Sequence, residues 1–236
     1  MSDAHNSSPK KVLIIGGHGK VAQLTTSRLI RAGMDVTSLI RNPDQAPDIE
    51  ALGSTPFIRD LTALSADDWA QQLKGYDVVI WAAGNAGKDG ASATYAIDRD
   101  GALACIAGLE QLQATGVTPP RLLMVSYLGS LDHGVDPEDA FYPYADSKEA
   151  VDRHLLDSEL DYLILAPARL TLEPAGGLAV VDNARTSDDT VTTSRELVAM
   201  VLVEMAGREE LPQSRILPFI DAPGGGNAGE TAISRL

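Results

Sequence analysis

The chain has 236 residues, of which 44% are hydrophobic, 5% aromatic and 22% charged, with a formal net charge of −14 at pH 7. So acidic a surface repels nucleic acid and anionic membrane, and the scarcity of aromatics leaves little for a base-stacking platform, so neither partner is expected. A single cysteine, Cys105, excludes an internal disulfide and any cysteine-based zinc cluster. No apolar run approaches the roughly 18 residues needed to span a bilayer. The polar opening Met1 to Lys10 lacks the apolar centre of a secretory signal, so a cytoplasmic location is expected by default.

In chain order, Lys11 to Ile15 reads as a continuous apolar strand and Lys20 to Ala32 as a helix ended by Gly33. Asp35 to Ile40 is a second strand, Pro43 to Leu52 a short helix, and Thr55 to Ile58 a third strand. Ala66 to Leu73 is helical, and Asp77 to Trp81 is a fourth strand that runs into Ala82-Ala83-Gly84. The segment from about Ala91 to Thr115 ends in helix, with Cys105 on it as a small buried hydrophobe. Arg121 to Val125 is strand five, Ala145 to Ser158 a helix, and Tyr162 to Ala166 strand six. Ser194 to Ala206 is a last helix and Arg215 to Phe219 a last short strand. Strands apolar on both faces that alternate with helices specify a parallel sheet covered on both sides, with right-handed crossovers. The expected fold is therefore α/β, a doubly wound parallel sheet in a single domain over residues 11–220 with a small C-terminal substrate-side extension. Residues 1–10 and 221–236 are expected as tails, with Pro223 to Gly229 loosely held.

Chemistry is legible first at the turn after strand one, Gly16-Gly17-His18-Gly19-Lys20-Val21-Ala22. Glycines between a strand and a helix inside a βαβ unit let backbone N–H groups approach a pyrophosphate, and the helix N-terminus then stabilises it. That is the signature of a Rossmann-type dinucleotide site. Strand two ends Ser38-Leu39-Ile40-Arg41-Asn42-Pro43. A carboxylate at its end would hydrogen-bond the ribose 2′-OH of NAD; Arg41 stands there instead and suits a 2′-phosphate, so NADP(H) is favoured over NAD(H). Lys20 adds a second positive charge. Asp60-Leu61 after strand three is placed to meet adenine, with an N-cap role for Asp60 as the alternative. Ala82, Ala83 and Gly84 pass beneath the cofactor ribose.

A reaction centre is expected where strand five runs into Ser126. Tyr144 and Lys148, four residues apart, share a helical face, so the ammonium can sit by the phenol and lower its pKa. Ser126 would hydrogen-bond the reacting oxygen, and Lys148 would also hold the nicotinamide ribose. Tyr142 is a rival phenol, but Asp146 lies four residues on. The histidines, His5, His18, His133 and His154, have no ligand spacing, and no metal site is expected.

Over about residues 11–208 these motifs resemble the atypical short-chain dehydrogenase/reductases, in particular the NmrA-like NAD(P)H-binding group. Ser126, Tyr144 and Lys148 fall where the wider family keeps its Ser-Tyr-Lys catalytic set. Leu165-Ala166-Pro167-Ala168-Arg169 is similar to the stretch that in the group ends in Arg-Pro-Gly, which would put Pro167 beside the nicotinamide ring. Ala166 and Ala168 replace the usual arginine and glycine, and Ala22 the third glycine. The resemblance implies an NADP(H)-dependent oxidoreductase that passes hydride to a small-molecule carbonyl-, quinone- or flavin-like acceptor. The alternative within the same group is a non-catalytic NADP(H)-binding redox sensor that docks a protein partner. A sugar-nucleotide epimerase or dehydratase stands behind both, because only about 70 residues follow strand six.

Overall fold

The computed structural model describes residues 8–85, 89–184, 186, 188, 190–222 and 232–236. Strand β1 (Lys11–Ile15) is buried at every residue after Lys11. Leu13 and Ile15 pack into one core and Val12 and Ile14 into the other, on the opposite face of the sheet. A strand covered on both faces needs an unbroken apolar run, which explains the Val12-Leu13-Ile14-Ile15 sequence. The seven strands β3 (Thr55–Ile58), β2 (Asp35–Ile40), β1, β4 (Val78–Trp81), β5 (Arg121–Val125), β6 (Tyr162–Pro167) and β10 (Ile216–Ala222) lie parallel in that spatial order. Strand β8 (Gly177–Val180) closes the β10 edge and runs antiparallel to it. A separate parallel pair joins β7 (Arg169–Thr171) to β9 (Thr192–Ser194).

Helices α1 (Lys20–Arg31) and α7 (Arg195–Gly207) pack together over the Val12 and Ile14 face. The other face is covered by α3 (Ala66–Gln72), α5 (Ala102–Ala114) and α6 (Tyr142–Leu156). Trp69 of α3 and Trp81 of β4 are fully buried there, with ring centroids 6.3 Å apart. The short α2 (Ala46–Ala51) continues a 3₁₀ turn at Pro43–Gln45. Cys105 is buried, and desolvation pushes its thiol pKa up, as fits an inert packing residue. Among the described residues no helix is long and apolar enough to cross a membrane.

Four details differ from the expectation. The segment from about Ala91 to Thr115, expected to end in helix, is helical almost throughout: α4 (Gly90–Thr94), a π-helical stretch over Tyr95–Gly101, then α5. Helix α6 starts at Tyr142, earlier than Ala145, because Pro143 sits in its first turn, where a missing N–H costs nothing. Between Ala166 and Ser194, where no element is expected from the sequence, β8 forms, and its pairing with β10 is set by an edge far away in sequence. At the C-terminal end, β10 runs to Ala222, and Ile233 is buried against the α7 core while Arg208 donates to its carbonyl oxygen at 3.0 Å. Residues 1–7 and the Pro223 to Gly229 stretch lie outside the described residues.

Candidate cofactor and reaction site

The sheet order reverses between β1 and β4, and the crevice at their C-terminal ends is where doubly wound sheets take ligands. Gly16 leaves β1 with φ +82°, and a Cβ on it would lie 2.6 Å from the Ala83 Cα after β4. Both facts require glycine. A Cβ on Gly17 would meet the Ser38 Cβ of β2 at 2.5 Å, and its N–H donates to the Leu39 carbonyl at 2.9 Å. Gly19 is the N-cap of α1, with no side chain capping that end and no acid in the first turn. Lys20 stands there instead, against the preference of the helix dipole, while α3 opens on a Ser65–Asp68 capping box and α7 on Ser194. Open N–H groups and a cation at one helix start fit an anion such as a pyrophosphate. Val21 follows in the first turn, and Ala22 is fully buried, letting α1 lie close to the sheet. His18 Nε2 lies 2.9 Å from Asp48 Oδ2, so its ring ties the glycine turn to α2.

Beside this turn opens a pocket lined by Gly16, Ile40, Arg41, Arg59, Asp60, Leu61 and Ile97 among others. Arg41 is exposed just past β2 and Asp60 just past β3. Asp60 lines the pocket and caps the Leu61–Ala63 turn, the alternative role foreseen for it. Its Oδ1 accepts from Thr62 Oγ1 at 2.7 Å and from the Thr62 N–H at 3.0 Å. Those two bonds, with a smaller contribution from the Arg41 charge, hold its carboxyl below the usual range. Arg59 was not singled out from the sequence, yet its guanidinium lies over the Phe57 ring, 5.1 Å from the centroid, on the same rim as Arg41. Its only signal was adjacency to Asp60 at the end of a strand.

Ala82 donates its N–H to the Ile15 carbonyl at 2.9 Å, so Ala82, Ala83 and Gly84 follow the crevice wall opposite Gly16. Pro167 ends β6, and its carbonyl accepts from the Leu128 N–H at 2.8 Å, joining the loop after β5 to β6. Ala166 is fully buried, so an arginine would not fit there in this packing. The Ala168 N–H donates to Thr193 Oγ1 at 2.9 Å.

Ser126, Tyr144 and Lys148 come together at the ends of β5 and α6. Lys148 is 2% exposed; its Nζ donates to the Val125 carbonyl at 3.3 Å, sits 3.4 Å from Asp98 Oδ1 and 5.6 Å from the Tyr144 ring centroid. Tyr144 packs in an aromatic group with Tyr127 and Phe141, at centroid distances of 5.6 and 5.3 Å. The expectation that Lys148 lowers the Tyr144 pKa is not met. Burial, then the negative charges of Asp98 and Asp152, push that phenol up, because the ammonium is already matched by Asp98. Ser126 also differs from its expected role, since its hydroxyl donates to Asp152 Oδ2 at 2.5 Å.

Asp98 and Asp152, like Arg59, are residues that reading the sequence missed. Both are completely buried. Asp98 lies in the π-helical stretch and accepts the Asn85 N–H at 2.9 Å. Widened turns of this kind are frequent at functional sites because they re-aim a side chain. Asp152 follows Lys148 by four residues, so the same helical spacing that singled out Tyr144 and Lys148 would have found it. Desolvation raises its carboxyl to about 6, against the opposing pull of the Ser126 and Ser130 hydroxyls and the Lys148 charge.

Comparison with known proteins gives the family. YhfK of Bacillus subtilis, named an uncharacterized sugar epimerase, is 31% identical over 169 residues, covering 71% of this chain and 75% of its own. A candidate NAD-dependent epimerase/dehydratase from Bacillus halodurans superposes with a TM-score of 0.79 at 26% identity, over 96% of this chain and 100% of that one. The oxidoreductase ylbE of Lactococcus lactis gives 0.72 at 22% identity over 96% of each chain, and so shows the shared fold alone. The family model described as NAD(P)H-binding matches residues 16–209, from the glycine turn to the end of α7. The chain belongs to that NAD(P)H-binding family.

Proposed function

We propose that the protein is an NADP(H)-dependent oxidoreductase of the atypical short-chain dehydrogenase/reductase type, acting on a carbonyl-, quinone- or flavin-like acceptor. The observation that carries the NADP(H) preference is the pair Arg41 and Arg59 on one rim of the pocket beside Gly16. Guanidinium groups match a phosphate through their fork of donors, and a ribose 2′-phosphate at this rim would meet both. The glycine turn and the start of α1 would hold the pyrophosphate, with Lys20 beside it. Ala82 to Gly84 and Pro167 would border the ribose and nicotinamide end. The nicotinamide supplies the hydride when bound. Ser126, Tyr144 and Lys148, at the ends of β5 and α6, would meet the acceptor, and the buried Lys148 charge favours an oxygen on which negative charge develops.

Calorimetric titration with NADPH and NADH, on wild type and Arg41→Ala, tests the cofactor assignment. Wild type should prefer NADPH, and the variant should lose about 10-fold or more of that affinity with NADH binding little changed, since a charge-assisted phosphate contact contributes roughly 1.5–3 kcal/mol. Equal affinity for the two nucleotides in wild type would refute it. A second reading, a sugar epimerase, is favoured by the names of YhfK and the Bacillus halodurans protein. An epimerase returns hydride to its own substrate, so steady NADPH oxidation with added quinone separates the two.

A further inference from the structure

The ion pair behind the reaction site joins two elements: Lys148 of α6 is 2% exposed and Asp98 of the π-helical stretch 0%. Asp98 reaches two segments at once. Its Oδ2 accepts the Asn85 N–H at 2.9 Å, and its Oδ1 lies 3.4 Å from Lys148 Nζ. A Cβ on Gly84 would come within 2.9 Å of the same Oδ1, so the chain after β4 runs in close contact with the carboxylate. The neighbouring Ile97 lines the pocket beside Gly16. One widened turn therefore gives one side chain to the nucleotide pocket and the next to the reaction lysine, the kind of re-aiming for which π turns recur at functional sites. Burying such a pair costs the hydration of both ions, and apolar residues of the same volume often serve stability as well or better. The pair is therefore explained by what it holds in place.

We propose that Asp98 is a positioning residue for Lys148: its carboxylate fixes the ammonium beside the end of β5 and ties it to the Gly84–Asn85 wall of the cofactor crevice. The inference rests on the oxidoreductase reading above, in which Lys148 meets the acceptor. The other contacts of Lys148 do not replace this one. Its Nζ donates to the Val125 carbonyl at 3.3 Å, which supplies an acceptor but no charge. The Tyr144 ring lies 5.6 Å away, and Asp152, the other buried carboxyl on that helix, is engaged by the Ser126 hydroxyl. Among the described residues, Asp98 is the carboxylate within ion-pair distance of Lys148. Without it the ammonium keeps its burial and loses its match, and its place relative to the acceptor is no longer set. Shifts of about 1 Å in a reacting group can cost on the order of 100-fold in rate.

Two measurements test this. Asp98→Asn keeps the shape and the acceptor for the Asn85 N–H but removes the charge, whereas Asp98→Ala removes both. With menadione as acceptor, Asp98→Asn should lower kcat on the order of 100-fold, while the NADPH dissociation constant from calorimetry changes less than about threefold. A residue that only braces the turn after β4 would leave Asp98→Asn at the wild-type kcat and show its loss in Asp98→Ala alone, which overturns the proposal. The second measurement is urea unfolding without nucleotide. Asp98→Asn and Lys148→Met each leave one buried charge unmatched and should lower the unfolding midpoint, and the double variant should recover most of that loss. Additive losses overturn the proposal. A wild type that neither binds NADPH nor oxidises it with menadione overturns the oxidoreductase reading, and the role of the pair in the reaction with it; the unfolding cycle reports on the pair itself in either case. If Asp98→Asn does not fold alone, a folded double variant supports the pairing and an unfolded one overturns it.

Discussion

Asp152 gives a prediction that needs neither cofactor nor substrate. Its carboxyl moves from 3.8 to about 6 because it is enclosed with no cation of its own. A raised acid favours folding while it is protonated: the contribution is fully present below 3.8 and is lost as pH rises through about 6. The whole displacement corresponds to a few kcal/mol, of which about half is already lost at pH 5 and the rest, on the order of 1 kcal/mol, between pH 5 and pH 8. Asp152→Asn keeps the shape and an acceptor for the Ser126 hydroxyl but cannot ionise. Urea unfolding of both proteins at the two pH values, followed by circular dichroism, isolates the effect, because the other titrating groups cancel in the difference. The variant should gain on the order of 1 kcal/mol on wild type from pH 5 to pH 8. A difference that stays constant, or moves the other way, would show that the carboxyl is not held neutral and would refute the electrostatic argument.

Gly16→Ala combines a left-handed backbone with a Cβ 2.6 Å from Ala83. It should cost about 2 kcal/mol or more in chemical denaturation and weaken nucleotide binding in calorimetry; a neutral result would mean that the β1–α1 turn relaxes freely. Ser194→Ala removes the side chain that accepts the Leu197 N–H at 3.1 Å, so α7 should lose about 1 kcal/mol in the same denaturation assay with the NADPH dissociation constant unchanged.

The sequence alone was enough to identify most of the sheet. Lys11–Ile15, Asp35–Ile40 and Arg121–Val125 have the limits expected of them, because a strand covered on both faces has to be written as an apolar run with turn residues at its ends, and the more exposed edge strand Thr55–Ile58 has its expected limits too. The glycine turn was legible for a similar reason: a φ of +82° and a backbone approach of 2.6 Å leave only one residue type. Local constraint leaves a local trace. Strand β8 leaves none, since a short edge strand is defined by the partner that it finds in β10, some forty residues later. The spacing of Tyr144 and Lys148 was readable, but their electrostatics were not. The sequence puts a lysine near a tyrosine; only the tertiary structure brings Asp98 across from a π-helical stretch to take up that charge, and turns Ser126 onto Asp152. Burial decides which charges are matched and which group keeps its proton, and burial is a property of the packed whole, because it depends on what every other segment places around a side chain.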